Sequence, residues 1–290
     1  MKNNNNLEFV NTKRLRFKHN TKGVLAYLDN KRFIFSGLTV LKEGVSLNEQ
    51  EFESYLSIWN TFNSEVRGKP FHPTHNYKII EYNIDEVKPY TGKAFKYIQY
   101  ENYEKFITKG KWLLGNIEHY ATIENESLRD EYEGFTHMNL FINNHQTSFL
   151  VQTNFNYLIF CCSHAENSNQ LKQQFGECIF EITDINAFAK RIVKTISAKR
   201  YYIRKVVYSS PKVYSYPENI INPDIKIGSD ILNESFIDLA RQHSLYPTLF
   251  IKPESFKHES EIRIVFEMQK DYFKPFTFEN LKLLNYISKK

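Results

Sequence analysis

The apolar residues of this chain fall in short runs of strand length, and no run approaches the ~20 residues that a membrane-crossing helix needs. Val24–Leu28 and Lys31–Phe35 flank Asp29-Asn30, a two-residue hairpin turn. Further strand patterns follow at Tyr77–Tyr82, Ala94–Tyr100, Lys111–Gly115, 147–151, Tyr157–Cys162, Cys178–Ile182 and Lys205–Tyr208. The last strong one is Glu261–Phe266, which alternates charged and apolar residues before turning fully apolar. Helical spacing is confined to a few segments. Ser46 and Glu49 form a capping box for a helix to about Asn63, with Phe52, Tyr55, Leu56 and Trp59 on one face. Shorter helices are expected over Glu101–Thr108, 167–174 and about 230–243. The clearest helix runs from Asp184 to Ser197, with Asp184 as cap and Phe188, Ile192, Val193 and Ile196 as its apolar face. The tail from 278 to 288 reads as a closing helix. The expected architecture is α+β, with mixed, mostly antiparallel sheets and short helices. Pro and Gly between 64 and 92 place a soft boundary near residue 90, giving an N-terminal α+β extension (1–90) and a core (91–290).

The 290 residues suffice for one large domain or two modest ones, and 41% hydrophobic residues support a sizeable core. Phe (24) and Tyr (19) far outnumber Gly (10) and Pro (9), which suits packed sheet–helix layers. No Gly-rich phosphate loop of the GxGxxG or GxxxxGK type occurs, so P-loop and dinucleotide-fold chemistry is disfavoured. A net charge of +5 permits an anionic partner without demanding one. Its basic residues cluster at Lys13–Lys22 and Lys199–Lys205, as solvated surface or as a nucleic-acid contact. Three cysteines, two of them adjacent (Cys161, Cys162, Cys178), do not form a disulfide framework. With a first segment that lacks the apolar core of a secretion signal, they give the expectation of a cytoplasmic protein.

The order strand, short helix, Gly turn, strand over 94–115 resembles the opening of small ADP-ribosyltransferases of the DNA-modifying toxin and RNA 2′-phosphotransferase kind. It also resembles uncharacterised bacterial families found near phage-defence genes. The run HYATIENESLRDEYEG, the strand Tyr157–Ser163 and the segment KPESFKHESEIRIVF fall in the order such families show. The resemblance covers roughly residues 94–268. It implies an ADP-ribosyltransferase-like core that consumes NAD as substrate in phage defence or a toxin system, with nucleic acid or protein as acceptor. It further implies a catalytic carboxylate opening a late strand, where Glu261 and Glu259 stand, and a strand-end Ser163 orienting it. The NAD-binding positions fall on Lys96, Tyr97, Tyr100 and Tyr120, in place of the usual Arg or His, and the substrate pocket on Arg129, Asp130, Glu133 and Arg263.

Cleaving a nicotinamide–ribose bond builds positive charge on the sugar, which a nearby carboxylate stabilises. Each residue also has a plainer reading. Glu261 and Arg263 stand two apart on one strand face, as an exposed row balanced across strands would. Tyr97 and Tyr100 suit core or rim positions, and Ser163 a helix cap. The acidic stretch Glu118, Glu124, Glu126, Asp130, Glu131, Glu133 suits a solvated helix face, with Arg129 as an intrahelical partner. His72 and His75 lack a Cys pair to complete a zinc site, and no metal is assigned. The two alternatives to a transferase are a non-catalytic module binding nucleic acid or a phage component, and a metal-dependent nuclease using the acidic stretch or Asp224.

Overall fold

The structure is a computed structural model that describes residues 88–290 except 123–132, 144, 153–155, 209–212 and 225–233, and before residue 88 the backbone of six strands alone. The expected helix over 46–63, the His72/His75 pair, and Arg129 and Asp130 lie outside the described residues. The chain is mixed α+β and divides into two compact units, each assembled from separate stretches: 1–82, 134–154 and 209–249 in one, 83–133, 155–208 and 250–290 in the other. Non-local strand pairing, which leaves no trace in local composition, draws 134–154 and 209–249 back to the first unit.

The first unit holds a four-stranded antiparallel meander, β1 (Glu8–Asn11), β2 (Leu15–Asn20), β3 (Gly23–Leu28) and β4 (Lys31–Phe33). The strands expected to flank Asp29-Asn30 pair antiparallel, with Leu28 opposite Lys31, while the turn itself lies outside the described residues. Its second sheet combines β5 (Ser36–Lys42), β6 (Ile80–Glu81), β9 (Phe135–Ile142), β10 (His145–Gln152) and β15 (Val213–Ile220) in the order β5-β10-β9-β15-β6. Strand β15 runs parallel to β9 and β6, so this sheet is mixed. Along β9, Thr136, Met138, Leu140 and Ile142 alternate into the buried face. The helix Glu234–Phe250 outruns its expected end at 243 and continues through Pro247, where the Thr248 hydroxyl donates to the Ser244 carbonyl at 2.8 Å.

The second unit is a curled sheet paired antiparallel throughout. It comprises β7 (Ala94–Ile98), β8 (Lys111–Asn116), β11 (Tyr157–Ser163), β12 (Cys178–Ile182), β13 (Arg200–Lys205), β17 (Glu261–Glu267), β18 (Phe276–Glu279) and β19 (Ile287–Lys289). The order is β13-β17-β11-β7-β12-β19, with β8 and β18 branching from β11. A two-residue parallel pair, β14 (Val207–Tyr208) and β16 (Ile251–Lys252), lies beside it. The expected strand at 205–208 is in fact two, β13 and β14, broken at Val206. The expected C-terminal helix is a 3-10 turn (Leu281–Tyr286) between β18 and β19, because β12 offers an edge that Ile287–Lys289 completes.

Alternation along β11 and β17 gives the sheet two different faces. Leu158, Phe160, Cys162, Ile262, Ile264 and Phe266 pack into the main core against Trp112 and the helix Ile185–Ile196. That helix presents Phe188 and Ile192 to the core, and its Asp184 cap accepts a hydrogen bond from the Ala187 N–H at 2.9 Å, as expected. The opposite face carries Cys161, Ser163, Glu261 and Arg263. Strand β11 also forks the sheet. Its first half pairs with β8 through Leu158 and Ile159, and its last residue Ser163 pairs with Phe95 of β7. The Cys161 carbonyl falls between these partners, and the Lys96 ammonium donates to it at 2.7 Å.

The connection between the short helix Asn169–Phe175 and β12 passes through Gly176 at φ 126. A Cβ there would enter the backbone of Ile98 and Gln99. Gly176→Ala is therefore expected to destabilise the protein by about 2 kcal/mol or more, measured by urea unfolding.

Candidate active site

The site is assembled by the segment Ile251–Arg263. Strand β16 ends at Lys252, and Pro253 opens the 3-10 helix Glu254–Glu259. Ser260 then adopts a left-handed conformation (φ 46), and β17 starts at Glu261. A non-glycine residue in that region costs about 1 kcal/mol and is held only where surroundings enforce it. Ser163 supplies part of that enforcement. Its hydroxyl donates to the Glu259 carbonyl at 2.8 Å and accepts from the Ala165 N–H at 3.0 Å, while the His164 N–H donates to the Ser260 carbonyl at 3.0 Å. Ser163 also stands directly opposite Glu261 in the β11–β17 register. The Glu261 N–H donates to the Tyr208 hydroxyl at 2.7 Å.

This turn sets a chain of buried charges. Arg263 is 1% exposed, Glu261 4% and Glu133 0%. The exposed-row reading of Glu261 and Arg263 is thereby overturned, because their strand face is covered. Glu133 grips the guanidinium with both oxygens, at 2.7 and 2.8 Å, and Arg263 Nε donates to Glu261 Oε1 at 2.8 Å. On the other side, Lys252 Nζ lies 2.6 Å from Glu259 Oε2, 3.1 Å from Glu261 Oε2 and 4.3 Å from the centre of the Phe256 ring. Glu261 Oε2 has this ion-pair contact but no hydrogen bond aimed at it. Three carboxylates thus share two cations, leaving a formal charge of −1.

The charges line one wall of a cavity of about 100 Å³. Phe95, Tyr97, Leu171 and Phe175 give it an apolar wall, and Tyr120, Cys161 and Ser163 complete it. Of the residues singled out from sequence, Glu261, Glu259, Ser163, Arg263, Lys96, Tyr97 and Tyr120 come together here. Tyr97 is a structural anchor as well: its hydroxyl donates to the Ala165 carbonyl and accepts from the Ser168 N–H. Tyr100 does not join them. It is 56% exposed, with Lys289 Nζ 4.5 Å above its ring. Glu133 sits behind Arg263 rather than in the cavity wall. Lys252, absent from the sequence-derived candidates, is central; its one signal is a lone cation ending an apolar run, Leu249-Phe250-Ile251.

Burial pushes Glu261 upward, but Arg263 and Lys252 outweigh it and hold its carboxyl well below the usual carboxylate range. Glu259 goes the other way. Burial, opposed by Lys252 and reinforced by Glu261, raises it to about 7. Burial also raises the Cys161 thiol, and Cys162 rises to about 12, so neither supplies a thiolate nucleophile at neutral pH. Among the described residues no group of three His, Cys, Asp or Glu side chains converges on a metal position. The chain matches no family model, and no curated protein or solved structure is significantly similar to it.

Replacing one partner of a buried pair strands the others, so Arg263→Met is expected to cost about 3–5 kcal/mol in urea unfolding. Arg200→Ala, which removes a largely exposed partner of Glu267, should cost under about 1 kcal/mol. For pH, Glu259 is raised on folding, so the native state binds the extra proton. Its contribution is fully present below the unfolded carboxylate range (near 4.5) and is lost as pH rises through about 7. Stability should therefore fall across that window by up to about 1.4 kcal/mol per pH unit, and Glu259→Gln should flatten the slope. Glu261 acts oppositely, contributing above its unfolded value and losing that contribution only in stronger acid.

Proposed function

We propose that the cavity of the second unit cleaves an N-glycosidic bond in the manner of an ADP-ribosyltransferase, with NAD as substrate and Glu261 as the catalytic carboxylate. The observation that carries this reading is the lateral alignment of Phe95, Ser163 and Glu261 on three adjacent strands that line the cavity, with Glu261 held ionised by Arg263 and Lys252. In the reaction the bond between the ribose C1′ and the nicotinamide nitrogen breaks, and its electron pair leaves with nicotinamide, which becomes neutral. Positive charge then spreads over C1′ and the ring oxygen. A buried carboxylate favours that charge most where water is excluded. Water or an acceptor hydroxyl or amine forms the new bond to C1′ and gives up a proton. Glu259, raised to about 7, is matched to take it at neutral pH.

Size limits what enters. Pockets that enclose drug-sized ligands measure roughly 300–1,000 Å³. A cavity of about 100 Å³ takes a single ring, with the rest of the dinucleotide outside its mouth. The apolar wall of Phe95, Tyr97 and Phe175 suits an aromatic ring. Acceptors of nucleic-acid or protein type, and a setting in phage defence or a toxin system, belong to the same proposal.

The test is incubation with labelled NAD, with and without DNA, RNA and lysate. Nicotinamide release is expected, and Glu261→Gln should lower it by about 10²-fold or more. Ser163→Ala, which keeps the charges and removes the hydroxyl holding the turn, should lower it less. No release in any condition, with a melting temperature unmoved by NAD, would overturn the reading.

A further inference from the structure

Lys252 takes no part in the glycosyl-transfer chemistry as written, yet its ammonium touches both cavity carboxylates. Arg263 cannot substitute for it. Its Nε is given to Glu261 Oε1 and both its terminal nitrogens to Glu133, so it fixes one edge of Glu261 and does not hold Glu259. The other edge, and Glu259 Oε2, answer to Lys252. The lysine is itself tightly held. It is 6% exposed, sits on the β14–β16 pair beside Tyr208, and lies over Phe256.

We propose that Lys252 is a positioning residue that holds the Glu259 and Glu261 carboxylates side by side in the cavity wall and favours their ionised forms. Two carboxylates in a desolvated site otherwise share one proton, because like charges at short range cannot both persist. The groups facing Glu259 are few. Lys252 comes from β16, Glu261 from β17 with Arg263 behind it, and Tyr208 from β14, while the helix Asn169–Phe175 contributes only Leu171 and Phe175 to the cavity. Protonation of Glu259 would neutralise the cluster and leave Lys252 to Glu261 alone. The cavity wall, which Lys96 also lines, would then lose one of its two carboxylate charges. Lys252 thereby sets the pH above which the site is charged for its reaction.

The consequence for turnover rests on the glycosyl-transfer reading; the titration does not. The experiment is a carboxyl ¹³C NMR titration of Glu-labelled protein from pH 5 to 9, on wild type, Lys252→Met, Lys252→Arg and Glu259→Gln, with nicotinamide release followed over the same range. Wild type should show a near-neutral carboxyl titration that Glu259→Gln abolishes. Lys252→Met should raise the proton affinity of that group about tenfold or more, and Lys252→Arg should restore it nearly to the wild-type value. The acid limb of turnover should move with it. An unmoved titration in Lys252→Met, or a near-neutral titration that survives Glu259→Gln, overturns the proposal. If Lys252→Met does not fold, Lys252→Gln, which keeps a polar head group without the charge, takes its place, with the same shift expected and the same unmoved titration overturning the proposal. A titration that moves as expected in a protein that releases no nicotinamide keeps Lys252 in this role and sinks the transferase reading instead.

Discussion

Burying a guanidinium is expensive, and the second unit is organised around doing it. Arg263 stands in the middle of a strand whose other face is core, so its side chain has no route to water. The cost is met by matching its planar fork to the two oxygens of Glu133 and its Nε to Glu261. Each match brings a further carboxylate out of water. Glu261 draws in Lys252, and Lys252 draws in Glu259. The cluster is therefore cooperative, since removing any member strands the next. Its net contribution to stability is small or negative beside a well-packed apolar core. What it secures is a single arrangement of charges beside the cavity.

The cavity exists because the sheet does not stay regular. Strand β11 serves two partners on one edge, β8 and then β7, and the fork between them leaves a carbonyl that only a side chain reaches. The left-handed turn at Ser260 adds a second irregularity where β17 begins. It brings Glu259 from a 3-10 helix and Glu261 from a strand to the same ammonium. Ser163 ties these features together, since it ends β11, pairs with both β7 and β17, and hydrogen-bonds across the turn. Strain stored at a site in this way is sustained by the surrounding packing.

Glu259 and Glu261 are two residues apart and of the same chemical type, yet their environments push them in opposite directions. Glu261 lies between two cations and stays charged through the physiological range. Glu259 has one cation, a like charge close by and little solvent, and its proton affinity rises. Separation of this kind between paired carboxylates is what lets one stabilise charge while the other exchanges a proton.

Local physics was enough to fix much of the framework. The alternation of Glu261–Phe266, the Asp184-capped helix, the pairing of the strands Gly23–Leu28 and Lys31–Phe33 and the left-handed Gly110 after the 3-10 turn at Ile107–Lys109 are all set by neighbouring residues. Alternation also placed Glu261 and Arg263 on one face. It could not say what covers that face, because period-2 patterning is identical for a solvated row and a buried one. The cover was decided by tertiary structure: Glu133 arrives from 130 residues away, and Lys252 from a strand of two residues too short to carry a pattern. The same limit explains Tyr100, which sequence grouped with Tyr97 and which the start of a helix turns outward to Lys289. It explains the tail too, where strand β12 offered hydrogen bonds that outweighed a helical spacing. Sequence alone determined most of the elements and the faces they present; long-range pairing decided the tail, which face is dry, and with it which charges must find one another.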